Sequence, residues 1–467
     1  MSVKAAPDEE FAAGVPVIIV GAGAAGFCAA LSAHEKHADV LMLEREPLPR
    51  GSTALSAGLI PAAGTRFQQL VGVDDTPAQF AADILRKAND EPDAAIVHAI
   101  AEQAALTVEW LANTHGLPFT LVNNFDYPGH TARRMHGLPS RSGLELIDRL
   151  RAAAERAGIT VLLNASVTAL FADAELIIRG VEVTRPDGMQ DSIGCQALVL
   201  ACNGYGGAPD LVARYIPDMR GAPYFGHPGN RGDAVQWGEL LGAKLLHMSG
   251  YQGHGSVAHP HGVLITWAVI MEGGFQVNAN GLRFSDESRG YSEQAATVLA
   301  QPGGTVFDIF DERIAGIARQ FEDFRQAEAV GAVIEASTVM QLAERLKVPF
   351  SSLAETFAEV ERAKRTGSVD AFGRSFAGQH ALSPPFKAVK VTGALFHTQG
   401  GLAIDKHACV LRPEGAALPN LFAAGGAAAG VSGSSPSGYL SGNGLLTATV
   451  LGRIAGLSAA KVATGRG

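Results

Sequence analysis

Residues 15 to 46, VPVIIVGAGAAGFCAALSAHEKHADVLMLERE, restrict the possible folds more than any other stretch of the chain. A short apolar strand, Val17 to Val20, runs into a GxGxxG turn at Gly21, Gly23 and Gly26. An Ala-rich helix follows, and a second strand, Val40 to Leu43, ends at Glu44 and Arg45. Each part has a physical task. Gly21 permits the sharp turn, Gly23 lets backbone approach a pyrophosphate, and Gly26 allows close packing of helix on strand. Phosphate is favoured where a helix begins, here at Ala24 and Ala25, because N–H groups and the helix dipole converge there. Glu44 can accept hydrogen bonds from a ribose. The stretch is therefore a βαβ unit that binds a dinucleotide.

The 467 residues allow two or three domains with a well-buried core. Apolar residues make up 47% and charged residues 18%, which excludes wholesale disorder. The net charge of −9 carries no basic cluster, so a nucleic-acid surface is not expected. The opening MSVKAAPDEEFAAG lacks a signal pattern, and no apolar run reads as a membrane span. Cys28, Cys195, Cys202 and Cys409 form no CxxC pair, which argues against a metal site and fits a reducing, cytoplasmic location.

The βαβ signature alone does not separate FAD from NAD. Residues 50 to 60, RGSTALSAGLI, resemble the second flavin-contacting loop of the fumarate reductase/succinate dehydrogenase flavoprotein superfamily. The resemblance implies flavin contacts at Gly51, Ser52, Thr53, Ser56, Ala57 and Gly58. Ser52 stands where some members carry a histidine bonded to FAD, so FAD is expected to be noncovalent. ALVLACNGYGG (197–207) resembles the strand and turn near the adenosine, with Ala201, Asn203 and Gly204 in contact. Val167 matches the adenine-side position. LPNLFAAGGAAAG (418–430) resembles the returning flavin strand, but Gly425-Gly426 replaces the usual Gly-Glu. GNGLLTATVLGRIAG (442–456) resembles the closing helix, whose N-terminus, with Gly444 and Leu445, faces the flavin.

The resemblance implies an α/β fold, with a Rossmann-like FAD-binding domain and an inserted α+β cap domain. Its boundaries are read as 1–221 and 385–467 for the FAD domain and 222–384 for the cap. A helical hairpin is expected over about 76–115 and strands over 158–200. The cap helices show apolar residues at three- and four-residue spacing. In this superfamily such a cap closes over the flavin and completes the substrate site.

On the substrate side, His254 falls on the superfamily's substrate-side histidine, and Trp267 replaces its acidic residue. NANGLRFSDESRGYSEQ (278–294) resembles the G-x-R-F-x-[ND]-E signature. The proton-donating arginine expected four residues beyond Glu287 is Tyr291, with Arg289 close by. His397, in FHTQGGLAID, matches the second histidine. Dicarboxylate reducers show an arginine before L-G-G-N, whereas this chain shows Tyr439-Leu440-Ser441-Gly442-Asn443.

A phenol is a poor holder of a dianion compared with the bidentate fork of arginine. It suits a neutral carbonyl as charge develops on the oxygen. These residues resemble the 3-ketosteroid dehydrogenase branch, nearest its Δ4-(5α)-dehydrogenase pattern. The expectation is FAD-dependent desaturation of a cyclic ketone, steroid or smaller. Tyr439 would polarise the carbonyl, with Ser441 and Tyr291 moving the α proton and an external electron acceptor reoxidising the flavin. The alternative is fumarate-reductase-like reduction of an unsaturated acid using Arg289, His254 and His397. His130, His136, His259 and His261 read as loop or surface histidines.

Overall fold

A computed structural model describes residues 1–7, 11–123 and 126–465. The chain forms two compact units. The first comprises 1–217, 225–251 and 397–467, and the second 218–224 and 252–396.

The first unit is built on a sheet that runs, in order, through Ser2–Ala5, Ser166–Ala172, Ile178–Thr184, Gln190–Leu200, Ala13–Val20, Val40–Leu43 and Thr160–Leu162. Ala417–Ala423 pairs in parallel with Gln190–Leu200. The expected βαβ unit is present. Ala13–Val20 and Val40–Leu43 pair in parallel, joined by the helix Ala24–His34. Val17, Ile18 and Ile19 are fully buried, as the continuous apolar run of a strand covered on both faces requires. The expected hairpin is formed by Pro77–Lys87 and Ala94–Asn113, begun by side-chain caps from Thr76 and Asp93.

The C-terminal helix, Asn443–Thr464, lies against Ala24–His34. A Cβ on Gly452 or Gly456 would overlap the Ala25 or Ala29 carbonyl, so two glycines let the helix backbones touch. By length and composition this helix could cross a membrane, which no apolar run was expected to do. Leu446, Val450, Leu451, Ala455 and Ala459 are instead buried in the unit's core.

The second unit has its own core and sheet. Phe386–Thr398 is central to that sheet and pairs with Thr305–Asp311 and Val333–Ala336. Tyr251–Ala258 and Phe275–Val277 extend it. Helices at Glu312–Ala318, Glu322–Ala329, Val339–Leu346 and Phe350–Thr366 account for the charge-mixed amphipathic stretches.

The boundaries therefore differ from the expected 222–384 insert. The Pro384-Pro385 break precedes the central strand of the second unit and does not end that unit. Residues 225–251 belong to the first unit, where Trp237 on the helix Asp233–Leu240 is fully buried in the core.

Candidate functional site

The phosphate cradle is built from backbone. Gly21 has φ +103°, and a Cβ on Gly26 would overlap the Gly21 carbonyl, so both positions require glycine. At Gly23 a Cβ would meet only Thr53 Oγ1, at 3.6 Å, which leaves the main chain open to a ligand. The Ala24 N–H donates to Thr53 Oγ1 at 3.0 Å, so the second loop reaches the helix N-terminus. Glu44 accepts from the Ala22 N–H at 2.8 Å and from the Glu46 N–H at 3.0 Å. Its carboxylate thus braces the turn. Arg45 forms an ion pair with Asp233, which commits its guanidinium within the protein.

The rest of the cradle follows the chain order. Ser52 Oγ accepts from the His227 N–H (3.1 Å) and Asn230 Nδ2 (2.8 Å). The Ser56 hydroxyl donates to the Thr53 carbonyl at 2.7 Å and accepts from the Gly58 N–H at 3.1 Å, which closes the second loop across Ala57. A Cβ on Gly51 would meet nothing within 4 Å. Val167 is buried in its strand, and Ala201 and Asn203 follow the strand that ends at Leu200. Asn203 Oδ1 accepts from the Gly204 N–H at 2.8 Å.

A Cβ on Gly426 would overlap Asn203 Oδ1 and approach His397 Nε2 to 3.1 Å. The space of the glutamate absent after Gly425 is therefore closed by these two side chains. These residues fit FAD: open backbone amides for phosphate, hydroxyls beside them, and the buried Asn443 Oδ1, which has no partner among the described residues and can accept a flavin N–H.

Tyr439 lies in the turn before the C-terminal helix and is 7% exposed. Its oxygen sits over the helix start, 3.7 Å from where a Gly444 Cβ would lie. Burial pushes the phenol up to about 12 against the main-chain groups of Gly444 and Gly442, so it stays protonated at neutral pH. Ser441 is buried beside it, and Leu445 is half-buried on the first helical turn. His397 Nδ1 meets Gln399 Nε2 at 2.8 Å, and Gln399 Oε1 accepts from Ser432 Oγ at 2.9 Å. Burial lowers His397 to about 4, which leaves it neutral.

The second unit brings His254, Trp267 and Tyr291 together. His254 stacks on Tyr291 with centroids 5.0 Å apart and meets Trp267 edge-on at 5.5 Å. The Ser256 N–H donates to His254 Nδ1 at 3.1 Å, so the neutral ring carries its proton on Nε2. Burial takes this histidine down to about 3. Trp267 Nε1 is buried without a partner among the described residues. Arg289 ends the short 3-10 turn Glu287–Arg289 and is exposed. Glu287 and Arg283 of the sequence signature are structural. They pair with each other at 2.6 Å, and Glu287 also meets buried Arg374 at 3.1 Å.

Two histidines depart from expectation. His136 is fully buried and shares a hydrogen bond with Thr65, while half-buried His130 reaches the Ser441 carbonyl at 2.9 Å. His259 and His261 are exposed, as expected. Sequence reasoning also missed Asp308, a fully buried carboxyl held by Ser256 and by Gln276 Nε2 at 2.8 Å. No spacing signal marks it, because its partners lie 52 and 32 residues away.

Residues 16–445 match the FAD binding domain family. A probable fumarate reductase, Ifc3, of Shewanella frigidimarina is 32% identical over 98% of this chain and 76% of its own length. An NADH:fumarate oxidoreductase of Klebsiella pneumoniae is 28% identical over 96% of this chain and 48% of its own length. A urocanate reductase of Eggerthella lenta is 26% identical, covering 98% and 77%. Among solved structures, the open conformation of a flavocytochrome c3 fumarate reductase aligns with TM-score 0.81 and 32% identity, over 97% of this chain and 79% of that one. The 3-ketosteroid Δ4-(5α)-dehydrogenase of Rhodococcus jostii aligns with TM-score 0.78 over 99% of this chain and all of that one, but at 23% identity. That likeness shows the fold alone.

The expected cyclic-ketone desaturation is therefore overturned, because the relatives that share sequence over the whole chain are reductases of fumarate and urocanate. The physical reason is that a phenol donates to a carboxylate oxygen as well as to a ketone. Losing arginine therefore fixes neither the substrate nor the direction. By sequence match and cradle geometry together, the chain belongs to the FAD binding domain family and is an FAD-dependent oxidoreductase.

Proposed function

We propose that this protein reduces the C=C bond of an α,β-unsaturated carboxylic acid. The observation that carries the reading is 32% identity to a probable fumarate reductase over 98% of the chain. Urocanate, like fumarate, is a carboxylate conjugated to a C=C bond, so the relatives' names share that chemistry. FAD held by the glycine turn at Gly21, Gly23 and Gly26 would, once reduced by an external two-electron donor, supply the hydride that the β-carbon takes up. Tyr439, buried and protonated, donates a hydrogen bond to a carboxylate oxygen, which stabilises the negative charge that grows as hydride arrives. In the second unit, the Trp267 Nε1–H and the Nε2–H of neutral His254 are uncharged donors. Within the second unit, Tyr291, stacked on His254, and Arg289 are the two candidate proton donors.

With neutral Tyr439 in place of an arginine, a monocarboxylate is preferred over a dianion. The test is stopped-flow reoxidation of the anaerobically reduced holoenzyme by urocanate, acrylate and fumarate. Rapid return of oxidised flavin with a monocarboxylate supports the reading. Reoxidation by none of the three refutes it.

A further inference from the structure

The turn that opens the C-terminal helix has no side-chain cap of its own, yet it is held from 311 residues earlier in the chain. Arg134 is the centre of that hold. Its Nε and Nη2 donate to the two Asp75 oxygens at 2.9 and 2.8 Å, and its Nη1 donates to Asp83 Oδ2 at 2.5 Å. All three side chains are at most 1% exposed, and the guanidinium lies 4.8 Å from the Phe80 ring centroid. Nη1 also meets His130 Nδ1 at 3.3 Å, and His130 Nε2 meets the Ser441 carbonyl at 2.9 Å. A guanidinium can only donate and a carbonyl can only accept. The imidazole between them therefore has one allowed form, bare at Nδ1 and protonated at Nε2. Burial and the Arg134 charge bring His130 down to about 4, so this form persists at neutral pH. The same loop touches the turn again, since a Cβ on Gly129 would come within 2.7 Å of Leu440 Cδ1.

We propose that His130 is a positioning residue, which transmits the fixed geometry of the Arg134–Asp75–Asp83 cluster to the Ser441 carbonyl and so aims the Tyr439 phenol and the first amides of the C-terminal helix. Only the catalytic consequence rests on the enoate-reductase reading. The aim of the helix does not.

The test uses the FAD-loaded full chain and two variants, His130→Leu and His130→Gln. His130→Leu is expected to raise amide exchange across 440–446 and to move the midpoint potential of bound FAD to more negative values, because a helix N-terminus favours added negative charge. Turnover of the enoate should fall about tenfold or more through misplacement, with KM little changed. His130→Gln restores a donor to Ser441 and should recover exchange, potential and turnover. Imidazole nitrogen NMR of the wild type should show Nδ1 bare. A His130→Leu enzyme with wild-type exchange and potential overturns the proposal, as does a proton on Nδ1. If His130→Leu does not fold, His130→Ala, which also removes the donor to Ser441, is read by the same exchange and potential, beside the wild-type tautomer. If exchange and potential respond but wild type reduces no enoate, the functional reading fails and the positioning role stands.

Discussion

Tyr439→Phe keeps the ring in its buried place and deletes one hydrogen-bond donor. Losing a preorganised donor of this kind typically costs about 10²–10³ in turnover. FAD content and melting temperature should hold, and steady-state kinetics beside a thermal melt check this. Asp308 makes a second prediction at the same scale. Burial raises it from 3.8 to about 7, with Glu287 adding repulsion and with Ser256 and Gln276 opposing the rise. The folded chain therefore holds a proton that the unfolded chain releases above about pH 4. Stability from this group is full at low pH and falls as pH rises from about 4 to about 7, since each unit of displacement is worth about 1.4 kcal/mol. Asp308→Asn cannot ionise, so its stability should decline less than wild type over that window. Parallel melting curves against pH would show that Asp308 is not the group responsible.

Among the elements, the C-terminal helix shows how sequence and structure part company. No membrane span was read in its sequence, yet the helix is long and apolar enough to cross one. The glycines decide for the core, because Gly452 and Gly456 meet the backbone of Ala24–His34 directly. Gly456→Leu should therefore destabilise the protein by at least ~1–3 kcal/mol, the usual cost of forcing volume into a filled contact. Denaturant titration measures it, and an unchanged midpoint would mean that the crossing is loose. The βαβ unit was legible because the glycine turn, the buried strand and the acidic strand end are all local in sequence. The His130–Ser441 link was not legible, because it joins residues 311 positions apart and a histidine in a loop carries no local pattern. Likewise Pro384-Pro385 reads as a domain break, although the strand that follows is the centre of the second sheet.

For the molecule as a whole, the cofactor was readable and the reaction was not. The cradle leaves backbone open where a phosphate would lie, a requirement that few residue types meet. The direction of a redox step leaves no such mark. Two tyrosines in place of arginines show that charge is missing and do not show which carbonyl compound takes its place. With Ser52 where a covalent histidine would stand, FAD should leave the protein on acid precipitation, and a yellow pellet over a colourless supernatant would contradict that. The most direct test of the central claim is single-turnover reoxidation of the reduced, FAD-loaded protein by an α,β-unsaturated monocarboxylate. The account predicts full return of the oxidised flavin spectrum with one equivalent of saturated acid formed. A reduced flavin that urocanate, acrylate and fumarate all leave unchanged would contradict it.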